Sequence, residues 1–216
     1  MRKHTFNIFI DLDGTILNVY ARYFAIFRKF ISSEIDELNT FEDWKKLKRK
    51  RLDDKEIFNA ISYISDTRYQ EYRKYKGKSL EDPNFLALDT LIHNPSILFS
   101  NFDSCRFVIL TQRNKEKNTL IQLKNLGIYN YFHEIVVVKP DNKTNAKYEY
   151  LKNNSSKEDF IIGDSPLEIK AANKLNIKAF HVNTGLYDRD FIEQECIFVE
   201  NYADAFECIR NLKEKY

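Results

Sequence analysis

Phe6-Asn7-Ile8-Phe9-Ile10-Asp11-Leu12-Asp13-Gly14-Thr15 reads as a strand that delivers two carboxylates to one place. Ile8, Phe9 and Ile10 form the short apolar run of a strand buried on both faces. Asp11 and Asp13 follow at i and i+2, a spacing that in extended chain points both side chains to one side, and Gly14 lets the backbone turn sharply. Taken alone, the stretch has a second reading as a polar turn, since Asp and Gly are ordinary turn residues. The other strand ends decide between the two.

From Leu17 to about Leu80 the pattern turns helical. Tyr20, Phe24, Phe27, Phe30 and Ile31 recur at spacings of three and four, and helical patterns follow at Phe41 to Arg51, Asp53 to Ile64 and Asp66 to Lys76. Gly77 and Glu81-Asp82-Pro83-Asn84 read as a stop and a connection, so residues 17–83 are expected to form an all-helical insertion. A helical pattern around Phe85 to Ile92 comes next. Strands are then expected at Arg106 to Leu110, ending on Thr111, and at Glu134 to Val138, Asp159 to Ile162, Lys178 to Val182 and Ile197 to Val199. Between them lie helices at about Lys115 to Leu126, Asn145 to Lys152 and Pro166 to Leu175. Strands alternating with helices imply right-handed βαβ units, hence an α/β fold with a doubly wound, mostly parallel sheet. Ligands of such sheets bind beyond the carboxyl ends of the strands, where Asp11, Thr111 and Asp164 fall.

The Asp164 region strengthens the site reading. Gly163 permits a close turn, Asp164 stands at the strand tip, and Pro166 suits the first position of a helix. Oxygens from two adjacent strand tips suit a hard ion such as Mg²⁺. Two readings stand for Glu168: Ser165-Pro166-Leu167-Glu168 fits a capping box, and Glu168 is also placed to support a metal.

Asp11-Leu12-Asp13-Gly14-Thr15, the apolar strand ending in Thr111, and Gly163-Asp164-Ser165 with the Ala171-Ala172 helix together resemble the haloacid dehalogenase-like (HAD) hydrolase superfamily, in its phosphatase branch. The resemblance covers residues 1–16 and 84–216 as the core, and the insertion at 17–83 is similar to that superfamily's helical cap. It implies that Asp11 attacks the phosphorus of a phosphomonoester to form an aspartyl-phosphate, while Asp13 protonates the leaving alcohol and then activates water. It implies Mg²⁺ held by Asp11, Asp164 and the backbone carbonyl of Asp13, and a phosphoryl oxygen bound by Thr111. Gln112, Arg113 and Asn114 follow Thr111, and their amides open the next helix toward the phosphate; a lone Arg such as Arg113 is otherwise a solvated surface residue. The family also needs a lysine. Lys139, Lys143 and Lys147 all lie in the right interval; Lys147, at a helix start that Thr144 or Asn145 can cap, is preferred, with Lys143 second. The implied substrate is a small phosphorylated metabolite: a phosphoglycolate-like acid, a sugar phosphate or a nucleotide. A phosphomutase using the same residues, and a non-catalytic protein binding RNA or another anion, are the alternatives.

Composition is compatible with this. The 216 residues, 43% of them hydrophobic, can bury a sizeable core, and a net charge of +2 gives no general attraction to nucleic acid or membrane. The basic run Lys45 to Arg51 reads as one solvated helix face, offset by Asp53, Asp54 and Glu56. Tyr20, Tyr23, Phe24 and Trp44 read as core aromatics with a second possibility as a lid lining. Cys105, Cys196 and Cys208 show no paired spacing, and no apolar stretch reaches a membrane span, which fits a reducing cytoplasm. His4, His93, His133 and His181 read as structural.

Overall fold

The structure, a computed structural model, describes residues 6–31, 41–50, 52–61, 64–95, 102, 105–141 and 144–214. Its first strand, β1 (Phe6–Ile10), leads into a two-residue strand β2 (Leu17–Asn18) and four helices, α1 (Tyr20–Ile31), α2 (Phe41–Arg49), α3 (Asp54–Ile61) and α4 (Asp66–Ser79). A short α5 (Pro83–Leu86) and β3 (Thr90–Leu91) return the chain to β4 (Cys105–Gln112). Alternation then sets in: α6 (Glu116–Asn125), β5 (Glu134–Val138), α7 (Ala146–Asn154), β6 (Phe160–Gly163), α8 (Pro166–Leu175), β7 (Lys178–Val182), β8 (Ile197–Val199) and α9 (Tyr202–Lys213).

The six long strands form one sheet in the order β5-β4-β1-β6-β7-β8, and every neighbouring pair is parallel. From β1 the chain works outward to β4 and β5, then returns to β6 on the other side and works outward again. The switch point is therefore the crevice between β1 and β6. Residue alternation along β1 sorts its side chains to two faces. Ile8 and Ile10 join a cluster with Phe107, Phe206 and Ile209, under α9, while Phe9 joins Leu151, Ile169, Ala171 and Ala172, under α7 and α8. A third apolar cluster, of Tyr20, Phe27, Ile31, Trp44, Ile57, Phe58, Ile64 and Tyr72, belongs to α1–α4 and the segment joining α3 to α4.

Two expectations need correcting. Residue 17 is not the start of helix: Leu17–Asn18 pair antiparallel with Thr90–Leu91, so the chain leaves and re-enters the sheet region through a small ribbon. For the same reason the pattern at Phe85 to Ile92 is not one helix. Asp82 caps α5 by accepting from the Asn84 amide at 2.9 Å, and Pro83 starts it, but the chain must extend again by Thr90 to pair with Asn18. The terminal helix α9 had a readable signal, Tyr202, Ala205, Phe206 and Ile209 at helical spacing behind the cap residue Asn201. Among the described residues no helix is long and apolar enough to cross a membrane.

Candidate active site

Four elements meet at the crevice: β1, β6, α7 and α8. The strand proper ends at Ile10; the Asp11 amide still donates to the Ile162 carbonyl of β6 at 2.9 Å, fixing Asp11 beside that strand. Asn145 caps α7 by accepting from the Tyr148 amide at 3.1 Å, and so sets Lys147 in the first turn, facing inward. Its ammonium donates to Asp11 Oδ1 at 2.5 Å and to Glu168 Oε1 from α8. Asp164, one residue past β6, completes a buried group in which Asp11, Asp164 and Glu168 each bring a carboxylate oxygen within 4.8 Å of the others. Glu168 also closes the capping box with Ser165, so it holds the helix start and the lysine together.

One ammonium among three carboxyl groups leaves an excess of negative charge away from water. Burial raises the Asp11 carboxyl, only partly countered by Lys147. Burial, with Asp11 adding to it, pushes Asp164 up to about 7 and Glu168 well above its usual range. Burial works against the Lys147 ammonium, but Asp11 and Glu168 outweigh it and keep the lysine charged. Such a set of hard oxygen donors with unbalanced negative charge fits a divalent cation.

Asp13 lies in the turn beyond the strand and faces other partners. Arg22 Nη2 donates to its Oδ1 at 2.7 Å, and Arg113 forks onto it from Nη2 at 2.5 Å and Nε at 3.0 Å. Burial opposes the charge of Asp13, yet Arg113 and Arg22 prevail and hold its carboxyl far below the usual range. Arg22 also pairs with Asp89 at 3.1 Å, Gln122 bonds Asp89 at 2.8 Å, and Arg113 bonds Gln122 at 2.7 Å, closing a ring of buried polar groups. The surface reading of Arg113 is therefore wrong, since its side chain is 2% exposed. Arg22 went unread because an Arg within the aromatic repeat of α1, which also carries Arg28 and Lys29, looks like part of the helix's solvent face.

Thr111 is buried at the end of β4, and Gln112 is the last strand residue, half-buried. The amides after them are already engaged: Arg113 N donates to the Val138 carbonyl at 3.0 Å, while Asn114 N and Lys115 N donate to the Glu81 carboxylate at 2.7 and 2.5 Å. In this arrangement the Arg113 and Asn114 amides do not face a phosphate. Lys139 is exposed, unlike the buried Lys147; Lys143 and His4 lie outside the described residues.

The loop after β7 also shapes the site. Leu186 N donates to Asp164 Oδ2 at 2.9 Å, and the Thr184 hydroxyl donates to the Gly14 carbonyl at 2.7 Å. Gly14 has φ of +82°, and a Cβ on Gly185 would stand 1.9 Å from Asp164 Oδ2, so the two glycines leave the room that Asp164 occupies. The helices rest on the same loop. The Tyr20 hydroxyl donates to the Gly185 carbonyl, and Arg49 donates to the Asn183 carbonyl at 3.1 Å and side chain at 2.5 Å. His181, on β7, bonds the Asp164 carbonyl at 3.0 Å.

Much of the basic run has internal partners. Lys45 lies 4.9 Å from the Tyr20 ring centroid, Lys48 pairs with Asp54 at 2.8 Å, and Arg49 reaches the loop just described. It is not simply a solvated face. Arg51 lies outside the described residues.

This fold and this group of strand-end acids define a class of protein that sequence comparison identifies. Residues 8–182 match the haloacid dehalogenase-like hydrolase family, and the chain belongs to that family. Solved structures agree in fold. A predicted phosphatase from Clostridium acetobutylicum superposes with a TM-score of 0.69 at 16% identity, over 98% of this chain and 100% of that one. A haloacid dehalogenase-like family protein from Streptococcus pneumoniae gives 0.66 at 17%, over 96% and 98%. A predicted phosphoglycolate phosphatase from Haemophilus somnus gives 0.64 at 16%, over 96% and 99%. Among curated proteins no sequence match is found.

Proposed function

We propose that this hydrolase is a Mg²⁺-dependent phosphomonoesterase of the cytoplasm, acting on a small phosphorylated metabolite through an aspartyl-phosphate on Asp11. The observation that carries the reading is the buried contact of Asp11 with Lys147 beside Asp164, at the switch point of a parallel sheet. Lys147 holds Oδ1 of Asp11, which leaves the other oxygen to attack phosphorus in line. Mg²⁺ held by Asp11, Asp164 and the main-chain carbonyl of Asp13 would offset the repulsion between carboxylate and phosphate. Thr111 and Lys147 bind phosphoryl oxygens, with Gln112 beside them. Asp13 is the proton carrier. Two guanidinium groups hold it ionised, so before it can protonate the leaving oxygen it must turn away from them and take up a proton from solvent; once it has given that proton up, it is again a carboxylate able to take the proton of the attacking water.

In this reading residues 1–16 and 84–216 are the catalytic core and residues 17–83 the cap. The separate apolar cluster of the helices and their seat on the loop after β7 support that division. The internal pairing of Lys45, Lys48 and Arg49 gives the RNA-binding alternative no support.

The test is release of nitrophenol from p-nitrophenyl phosphate. Turnover is expected with Mg²⁺ and not with EDTA; equal rates in both would sink the metal-dependent mechanism.

The carboxyl group of Asp164 gives a second expected result. Raised to about 7, it keeps its proton in the folded state at pH values where the unfolded chain has lost it. Its contribution to stability is therefore greatest below an unfolded pKa of about 4 and falls as pH rises to about 7. Asp11 and Glu168 shift in the same sense. Mg²⁺ binding must displace that proton, so the gain in Tm on replacing EDTA with Mg²⁺ is expected to be larger at pH 8 than at pH 6 by calorimetry. A gain that is equal at the two pH values, or larger at pH 6, would refute the assignment.

A further inference from the structure

The ring of polar groups around Asp13 sets two guanidinium groups against two carboxylates. Arg22, on α1, gives Nη2 to Asp13 at 2.7 Å, lies with Nε 3.1 Å from Asp89 Oδ1, and donates from Nη1 to the Leu80 carbonyl at 2.9 Å. Arg113 forks onto Asp13 and gives Nη1 to Gln122 at 2.7 Å. Gln122, on α6, closes the ring by donating to Asp89 Oδ2 at 2.8 Å and to the Leu86 carbonyl at 2.9 Å. Asp89, between α5 and β3, is thus fixed from two sides.

Exposure separates one member of the ring from the rest. The side chains of Arg22, Asp89 and Arg113 are 2%, 0% and 2% exposed, whereas that of Asp13 is 24% exposed. Asp13 is the one of these four with open space beside it. When it turns away, both guanidinium groups stay behind in the interior, and a buried charge left without a partner is costly. Asp89 changes that cost, because Arg22 keeps a carboxylate after Asp13 has gone, while Arg113 keeps Gln122. Burial pushes the Asp89 carboxyl up to about 6, although Arg22 opposes the shift, so Asp89 is ionised at pH 7.5. Holding Asp13 at rest does not require Asp89. Arg113 already grips Asp13 through two nitrogens, and Asp89 competes with Asp13 for Arg22.

We infer that Asp89 is a positioning residue for proton transfer: by keeping Arg22 paired, it allows Asp13 to leave the ring and reach the leaving oxygen. In that step a bond forms from an Asp11 oxygen to phosphorus as the ester P–O bond breaks, and the electron pair left on the ester oxygen takes the proton that Asp13 has drawn from solvent. The inference rests on the reading of Asp13 as the proton carrier, and the residue it adds acts only through Arg22.

The experiment measures kcat/KM, which covers the steps up to loss of the alcohol, for benzyl phosphate and p-nitrophenyl phosphate with Mg²⁺ at pH 7.5. A benzyl alkoxide must be protonated as it leaves and a nitrophenolate need not be, so the ratio of the two values reports proton delivery. A general loss of folded enzyme cancels from it. Asp13→Asn, the control, should lower the benzyl-to-nitrophenyl ratio by about a hundredfold. Asp89→Asn is nearly isosteric and leaves Arg22 paired with Asp13, and it should lower the ratio at least fivefold. In an Arg22→Met background, where there is no guanidinium for Asp89 to keep, adding Asp89→Asn should change the ratio less than twofold. A smaller fall than fivefold in Asp89→Asn, beside a collapsed ratio in Asp13→Asn, overturns the inference alone. So does a larger change than twofold in the Arg22→Met background. Should Asp89→Asn not fold, Gln122→Met carries the test: it removes the donor that fixes Asp89 and the acceptor that Arg113 keeps, and an unchanged ratio there overturns the inference. If neither ester is hydrolysed, or Asp13→Asn leaves the ratio unchanged, the reading of Asp13 as proton carrier fails and takes the inference with it.

Discussion

Asp11→Asn is expected to reduce phosphomonoester hydrolysis by on the order of 10⁴-fold or more, because loss of a covalent nucleophile removes the reaction path rather than one contact within it. The substitution is nearly isosteric, and the fold should tolerate it. Asp11 is one of three carboxyl groups crowded around a single ammonium, so removing its charge relieves repulsion with Asp164 and leaves Lys147 paired with Glu168. The metal-free variant should therefore be at least as stable as the wild type while being inactive. Steady-state kinetics with p-nitrophenyl phosphate and thermal unfolding in EDTA check the two halves separately. Substantial residual turnover would exclude an aspartyl-phosphate on Asp11.

Lys147→Met should show the opposite balance, losing stability as well as turnover. Without its ammonium, Asp11 and Glu168 remain buried beside Asp164 with no cation, and removing one partner of a buried charged group typically costs about 3–5 kcal/mol. For a chain of this size that corresponds to a fall in Tm of roughly 10 °C. The loss should be largest in EDTA at pH 8, where the carboxyl groups are most fully ionised, and smaller at pH 6, where protonation relieves them. Lys139→Met is the control: Lys139 is exposed, and little change in Tm is expected. Equal effects of the two substitutions would mean that the contact of Lys147 with Asp11 does not matter.

The difference in burial between Lys147 and Lys139 shows what a local sequence pattern carries. Lys139, Lys143 and Lys147 are equivalent as letters. Lys147 could be preferred because Asn145 offered a cap and Tyr150 and Leu151 an inward face, a local pattern that the structure contains as the Asn145 cap and the buried Leu151. The parallel sheet was legible for the same reason, since apolar runs closed by Asp, Thr or Gly mark strand ends within a few residues. What escaped depended on distant partners. Arg22 is one of three basic residues on an aromatic helix, with nothing to mark it out until Asp13 and Asp89 are brought to it. Gly185 is an ordinary loop glycine until Asp164 lies where its side chain would be. The amides after Thr111 looked available until the Val138 carbonyl took that of Arg113 and Glu81, from the end of the helical segment, took that of Asn114. The ribbon of Leu17–Asn18 with Thr90–Leu91 is too short for any periodicity to reveal.

The central place of β1 has a consequence for how the chain is made. Phe6 pairs with Cys105 and Ile8 with Phe160, so β1 must wait for both of its neighbours to be synthesised. At roughly 5–20 residues per second on a ribosome, that wait is on the order of ten seconds. Meanwhile α1 to α4 can assemble their aromatic cluster from contacts close in sequence, whereas Phe6–Ile10 stays an apolar segment with unpaired edges. The nascent protein thus passes through a period in which its helices are built and β1 is a target for chaperones or for aggregation. The buried group of Asp11, Asp164 and Glu168 is complete only when the last third of the chain, which carries Asp164 and its supporting loop, has emerged.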